Sequence, residues 1–336
     1  MPEFVKIPVA ELKREFHRIL TARQFNEHQA SICAEVFTNN SIDGVYSHGV
    51  NRFPKFIGMV KQGIVKPSAE AICKTKAGNI EQWDGQQGVG ILNALKSTDR
   101  AIELARASGI GCVAIANTNH WMRGGTYGWR AAKAGCVFIG WSNTIANMPA
   151  FGALNHKLGN NPLVIAVPYE NEAIVLDMAM SQFSYGAMEM YELKNERLPV
   201  YGGYDTSGEL TTDPSEIIRS QRTLPVGYWK GSGLSLLLDI LAAVLSGGLS
   251  VAGITAQDAE RNLSQVFIVI DPGKFGDQHS ITNVIRNILD DFKSSIPEVT
   301  GKPVRYPGEN VLKTRSKNLT EGIPVSSTIW EEIKGL

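Results

Sequence analysis

LVIAVPYENEAIVLDM, residues 163–178, is the stretch whose reading decides the fold class. Two runs rich in valine, isoleucine and leucine, 163–167 and 173–178, flank Pro168-Tyr169-Glu170-Asn171, which reads as a hairpin turn. A hairpin pairs its strands antiparallel, so the sheet of this protein is not all-parallel. Upstream, strands are expected at 111–116 and 136–142, with a helix over 126–134 between them. The alternation of strand and helix predicts an α/β protein with a mixed central sheet flanked by helices.

Working outward from the hairpin, a short strand from Ile80 leads into Gly85, Gly88 and Gly90 and then an apolar helix that Gly109 can end. The glycines run G-x-x-G-x-G, not the G-x-G-x-x-G of a dinucleotide loop, so they read as a plain turn. The first 75 residues read as a helical unit. Residues 9–22 place Leu12, Phe16, Ile19 and Leu20 on one face, and 26–40 turn Ala30, Cys33, Val36 and Phe37 inward. Turn residues at 61–70 mark the crossing into the second unit, which gives a boundary at 75/76, an α/β domain over 76–279, and C-terminal helices in 280–336 packed back on the first unit. Residues 199–224 lack periodicity and read as a long exposed excursion of the kind that forms lids. An apolar helix to Leu245, a strand at 266–270, a helix at 282–292 and a closing helix at 328–333 with a Thr328/Glu331 capping box complete the chain.

Of the 336 residues, 33 are lysine or arginine and 33 aspartate or glutamate, so the formal net charge is zero. No basic field exists to gather nucleic acid or an anionic membrane, which leaves a small molecule or a protein as the expected partner. Cys33, Cys73, Cys112 and Cys136 have no zinc-knuckle or redox-pair spacing and read as reduced thiols. The opening MPEFVKIPVAELKREF has no signal-peptide apolar run, and the longest apolar segment, 234–245, holds Ser235 and Asp239 and is short for a bilayer span. A cytoplasmic protein is the expectation.

The chemistry is concentrated in DGVYSHGVNR, residues 43–52. Imidazole exchanges a proton near neutral pH, and a guanidinium offers a planar fork of donors to a carboxylate. If Ser47 caps a helix, His48 and Arg52 share one face at i, i+4 spacing; alternatively Pro54 starts the helix near Phe53 and leaves 47–52 as an irregular lead-in. His120 is a second acid/base or ligand candidate, lying at a strand end before Gly124-Gly125, whose backbone amides are free to meet an anion. Asp177 ends an apolar run and either orients His48, raising its pKa, or caps a strand-end turn. Trp229 and Lys230 ahead of Gly231-Ser232-Gly233 offer an aromatic platform, a cation and free amides to a phosphate-bearing cofactor. Neither His48 nor His120 has a companion at metal-ligand spacing, so no metal is expected.

Taken together, VYSHGVNRFP, NHWMRGGTYGW, GNNPL, VLDMAMSQFSYG and LPVGYWKGSG resemble, in order and approximate spacing, the malate/L-lactate dehydrogenase family that lacks a Rossmann fold. The resemblance covers nearly the whole chain. It implies NAD(P)-dependent reduction of a 2-oxo acid, NADH being expected and NADPH possible, a largely antiparallel cofactor domain, and a homodimer with active sites between subunits. It further implies His48 as proton donor, Ser47 as its hydroxyl neighbour, Asp177 as the carboxylate completing the relay, and Arg52 as substrate-carboxylate ligand. His120 is a rival for the proton and a second substrate ligand. Cofactor contacts are implied for Ala173, Ile174, Val175, Leu176, Asp177, Met178 and Ala179, for Trp229 and Lys230, and for the turn Gly308-Glu309-Asn310, which is one residue shorter than in a relative. Asn160 replaces a small hydroxyl residue.

The leading expectation is therefore reduction of a sugar-derived 2-oxo acid, with a malate-, L-lactate- or ureidoglycolate-type dehydrogenase as the alternative. Outside redox chemistry, the same imidazole and guanidinium would suit a cofactor-free sugar-acid lyase or isomerase, or a sensor that binds a sugar acid without turning it over.

Overall fold

In the computed structural model, which describes residues 4–299 and 301–336, the N-terminal part contains β1 (Phe4–Ile7), α1 (Val9–Thr21) and α2 (Glu27–Ile42). Two 3-10 turns, Tyr46–His48 and Val50–Arg52, lead into α3 (Phe53–Lys61). The middle of the chain supplies β2 (Ile72–Ala77), β3 (Ile80–Asp84), α4 (Gly90–Ser108), β4 (Ile110–Thr118), α5 (Gly125–Lys133) and β5 (Val137–Ser142). Next come β6 (Met148–Pro149), β7 (His156–Leu158), β8 (Leu163–Tyr169), β9 (Glu172–Met178) and α6 (Tyr185–Leu193). The last part holds β10 (Gly203–Tyr204), β11 (Leu210–Thr211), α7 (Pro214–Ser220), α8 (Trp229–Ser246), α9 (Val251–Thr255) and β12 (Leu263–Ile270). The chain closes with α10 (Gln278–Lys293), α11 (Glu309–Glu321), β13 (Ile323–Ser326) and α12 (Ser327–Lys334).

Seven strands form the central sheet in the order β2-β3-β4-β12-β5-β8-β9, and of its pairings only β3 with β4 is parallel. The hairpin at 163–178 is there, tighter than expected: Pro168 is opposite Ala173 and Tyr169 opposite Glu172, leaving Glu170 and Asn171 to turn the chain. Pro168 lies beyond the β5 pairing, which ends at Ala166, so its missing N–H costs the sheet no bond on that side. Alternation along β4 sorts its side chains: Val113 and Ile115 join a core with α4 and α5, while Cys112 and Ala114 join one with Leu238 and Ala242 of α8. Strand directions place the C-terminal ends of β3, β4, β5 and β9 on one rim, where β8 and β12 begin.

The helical unit has its own core. Leu12, Phe16, Ile19 and Leu20 of α1 meet Ala30, Cys33, Val36 and Phe37 of α2, as their periodicity predicts, and Phe16 stacks on Phe53 at 4.1 Å. Ile323, Val325, Trp330 and Ile333 complete this core, and β13 pairs antiparallel with β1. Among the described residues α10 has no part in it; its Arg286 pairs with Glu170 of the hairpin and its Lys293 with Glu309 of α11.

Several expectations need correction. β2 runs across the boundary drawn at 75/76. The 199–224 excursion is built, not loose: Ile217 of α7 packs with Met188 and Leu198 in a small core of its own. At the C-terminus α12 has Ser326 at its N-cap without a side-chain cap, and Thr328 sits inside the helix, so the Thr328/Glu331 capping box does not form. Glu309 is not in a turn but opens α11 behind Gly308, whose φ of 91° only glycine adopts readily. The apolar segment is longer than 234–245: α8, at 18 residues, is among the described residues the one helix long and apolar enough for a membrane span. Its inner face is nonetheless spent on the sheet, and Asp239 accepts bonds from Asn143 Nδ2 and the Val251 amide.

Candidate active site

α2 stops at Asp43 and the chain doubles back on it. The Val50 amide donates to Ser41 Oγ at 2.9 Å, and Asn40 Nδ2 to the His48 carbonyl at 3.0 Å. A Cβ on Gly49 would fall 2.3 Å from Ser41 Oγ, so this return needs glycine. Pro54 occupies the first turn of α3, which makes 47–52 the irregular lead-in and not one helical face. Ser47 Oγ lies 3.2 Å from His48 Nδ1 and fixes the ring.

His120 follows the end of β4. The Met122 amide donates to its Nδ1 at 3.0 Å, so the neutral ring carries its proton on Nε2. Asn119, fully enclosed, ties this loop to the Ile64, Gln87 and Gly88 carbonyls. Gly90 explains the glycine-rich turn: a Cβ there would lie 2.3 Å from the His120 carbonyl oxygen, so α4 starts against the loop that carries the histidine. The His48 and His120 rings stack with centroids 5.6 Å apart.

Both rings are disposed to be neutral. Burial, with Arg52 and Arg123 adding positive charge, brings the His48 pKa down to about 4, and burial with Arg52 holds His120 well below its ordinary value. This reverses the expectation that a carboxylate raises the His48 pKa. Asp177 is engaged elsewhere: its Oδ2 accepts from the Gly125 amide at 2.8 Å, and among the described residues no hydrogen bond joins it to His48. The anion that meets the Gly125 amide is thus the chain's own, at the start of α5. Desolvation pushes the Asp177 pKa up, against the pull of Arg123 and the Gly125 bond.

Arg123 is itself buried and bonded to Asp43, which also accepts from Arg315 Nε at 2.7 Å. The three side chains join the end of α2, the start of α5 and α11. Arg52 is different. It forms an ion pair with Glu260 at 3.6 Å, longer than a hydrogen bond, and among the described residues its guanidinium donates none. Arg123, Arg315 and Glu260 were not singled out in the sequence: Arg123 stood inside a quoted motif, and Glu260 lies in AQDAERN, where no spacing sets it apart from a surface acid.

The segments implied for a cofactor converge on β9, an edge strand, which among the described residues pairs only with β8. Toward its start the Val175 amide donates to the Pro307 carbonyl at 3.1 Å, and a Cβ on Gly308 would lie 3.2 Å from the same amide. Glu309 beside it bonds Lys293 through Oε1, while its buried Oε2 has no partner. Past its other end the Val226 amide donates to the Met180 carbonyl at 2.8 Å, setting Trp229, 66% exposed, and Lys230 at the start of α8. Ile174 and Leu176 remain half-buried between the two, and Asn310 is exposed. A sheet-edge strand with a glycine approach, an acid with one buried oxygen unbonded and an exposed aromatic–cation pair fits an extended dinucleotide. A concavity of about 1600 Å³ between α2, α4 and α5 lies elsewhere: Asp43, Arg123 and Arg315 line it, but neither histidine does.

A sequence model of the malate/L-lactate dehydrogenase family matches residues 7–334. The 2,3-diketo-L-gulonate reductases of Salmonella typhimurium and Salmonella enteritidis are 44% identical over 333 residues, covering 99% of this chain and 100% of theirs. Among solved structures, malate dehydrogenase from Entamoeba histolytica shares the fold with a TM-score of 0.93 at 22% identity, over 99% of this chain and 97% of that one. Sulfolactate dehydrogenase from Methanocaldococcus jannaschii follows at 0.89 and 27%, over 98% and 96%. With a full-length family match and relatives of this identity, the chain belongs to the malate/L-lactate dehydrogenase family and is an oxidoreductase acting on the CH–OH/C=O pair, a class that uses a nicotinamide cofactor.

Proposed function

We propose that this protein reduces a sugar-derived 2-oxo acid, 2,3-diketo-L-gulonate to 3-keto-L-gulonate, with NADH as the donor. The observation that carries the reading is the pairing of His48 with His120 beside Arg52, a half-buried guanidinium with no hydrogen bond of its own among the described residues, in a close relative of reductases named for that substrate.

Arg52 receives the substrate carboxylate on the donors that its ion pair with Glu260 leaves unbonded. A nicotinamide held along β9 by the Gly308 turn and by Trp229 and Lys230 would supply the hydride to the carbonyl carbon. His48 protonates the oxygen as charge develops there, and Ser47 on Nδ1 leaves Nε2 to face the substrate. The substrate's negative charge offsets Arg52, one cause of the low His48 pKa, so binding itself makes His48 a better proton carrier. His120, its Nδ1 committed to Met122, presents Nε2–H to the same oxygen. Asp177 sets the Gly124-Gly125 segment, and Asp43 holds Arg123 near it.

The active unit in this proposal is a cytoplasmic homodimer. Trp229, Leu237, Ile240, Leu241 and Val244 leave an apolar stripe exposed along α8, on the face turned from the sheet, and a second copy of the chain is its proposed cover. The stripe begins at the proposed cofactor pair Trp229-Lys230, which would bring the partner close to the site.

The test is NADH absorbance with purified protein and 2,3-diketo-L-gulonate, pyruvate or oxaloacetate, repeated with NADPH. Turnover of 2,3-diketo-L-gulonate with NADH is the expected result; no consumption of either nucleotide with any 2-oxo acid rejects the proposal.

A further inference from the structure

The ion pair of Arg52 with Glu260 bears on which 2-oxo acids the site accepts, an inference that rests on the function proposed above. Both side chains are largely enclosed, 21% and 20% exposed. Glu260 is also held from behind, its Oε1 accepting from the Ile145 amide at 3.4 Å, so it is a fixed charge and not a wandering surface acid. It reaches Arg52 from the segment before β12, on the rim where β4 delivers His120 and β9 delivers Asp177.

The enclosed cations that act on the histidines, Arg52 and Arg123, are each paired with an acid. Arg123 is matched by Asp43 and has Asp177 close by, Arg315 by Asp43 and Glu172, and Arg52 by Glu260. Lys55 also acts on His120 but is exposed, where water and salt screen it. One substrate carboxylate therefore spends what remains of the Arg52 field, and a second would meet Glu260 with, among the described residues that act on the histidines, no further enclosed cation to receive it. At an effective dielectric of about 20, a like charge about 5–7 Å away disfavours binding by roughly two orders of magnitude.

We propose that Glu260 is a specificity-determining residue that restricts this site to 2-oxo acids bearing a single negative charge, excluding 2-oxo dicarboxylates. Its fixed carboxylate keeps Arg52 half-committed before substrate arrives, which leaves room for one carboxylate and the uncharged, hydroxyl-bearing remainder of a sugar acid.

The experiment compares kcat/KM for the best monoanionic substrate, 2,3-diketo-L-gulonate or pyruvate, with that for oxaloacetate. Wild type should favour the monoanion at least tenfold. Glu260→Gln should shift the ratio at least tenfold toward oxaloacetate, and Glu260→Asp, which keeps the charge, should shift it less than threefold. A ratio measured on one preparation does not depend on how much of it is folded. If the Gln variant yields no folded protein, the wild-type preference alone decides. Equal or better use of oxaloacetate by wild type, or an unchanged ratio in a folded Gln variant, overturns the inference while leaving the reductase reading intact. Absence of turnover with every 2-oxo acid removes the reading on which it rests.

Discussion

The His48 and His120 rings stand 5.6 Å apart with their planes 20° from parallel, and the charge of His48 is one of the causes holding the His120 pKa down. Two imidazoles so placed do not both hold an extra proton. The pair therefore divides into one proton carrier and one neutral hydrogen-bond donor, and the Met122 amide on His120 Nδ1 marks His120 as the donor.

That division separates two variants. His48→Gln should lower kcat about 10² to 10⁴-fold, the usual worth of a general acid, with KM nearly unchanged. His120→Gln should act mostly on KM. Steady-state kinetics of both decide the matter, and a larger kcat loss in the His120 variant would exchange the roles.

The pH dependence follows from the low pKa of the free His48, about 4. Below neutrality more of the enzyme carries the proton needed for reduction, so reductive kcat/KM should rise as pH falls toward 5, while oxidation of the hydroxy acid should be favoured at higher pH. Stability should run the other way. The unfolded chain protonates His48 near its ordinary 6.5 and the fold only near 4, so the unfolded state binds more protons between those values and stability falls as pH falls through them. Melting temperatures from pH 7 to 4.5 should drop less steeply in His48→Gln than in wild type; equal slopes would mean the histidine is not held neutral by the fold.

Asp43 holds two guanidinium groups, one of them the buried Arg123. Asp43→Asn leaves that cation without its acid, and removal of one partner from a buried pair costs about 3–5 kcal/mol. Urea unfolding should show a loss of that order. A loss under about 1 kcal/mol would mean that Arg123 finds Asp177 or water instead.

The stripe on α8 supplies a test of assembly. Val244 is 68% exposed, so Val244→Glu should leave the fold of one chain unharmed. Combined with Leu237→Glu, it should turn a dimer into a monomer in sedimentation and cut kcat/KM at least tenfold. A dimer that survives both charges places the interface on another face.

How much was legible in the sequence varies with the range of the interactions involved. Periodicity reported the inward faces of α1 and α2 and the hairpin at 163–178, because those depend on neighbours a few residues away. It missed α6, α11 and the β1–β13 pair: β1 and β13 are too short for a periodic signal, and their partners lie more than 300 residues apart in the chain. The glycine-rich segment read as a plain turn, but the purpose of Gly90, letting α4 approach the His120 carbonyl, is invisible without the packing.

The sequence by itself determined the chemical inventory, His48, His120, Arg52 and Asp177, and its order along the chain, since motifs are statements about residue types at fixed spacing. Only the tertiary structure decided which of them meet. It put Asp177 on the Gly125 amide and not on His48, gave Arg52 a partner from more than 200 residues downstream, and made both imidazoles neutral. Burial and charge at a point in space are sums over groups that the chain brings together from everywhere, and spacing along the sequence carries no record of that sum.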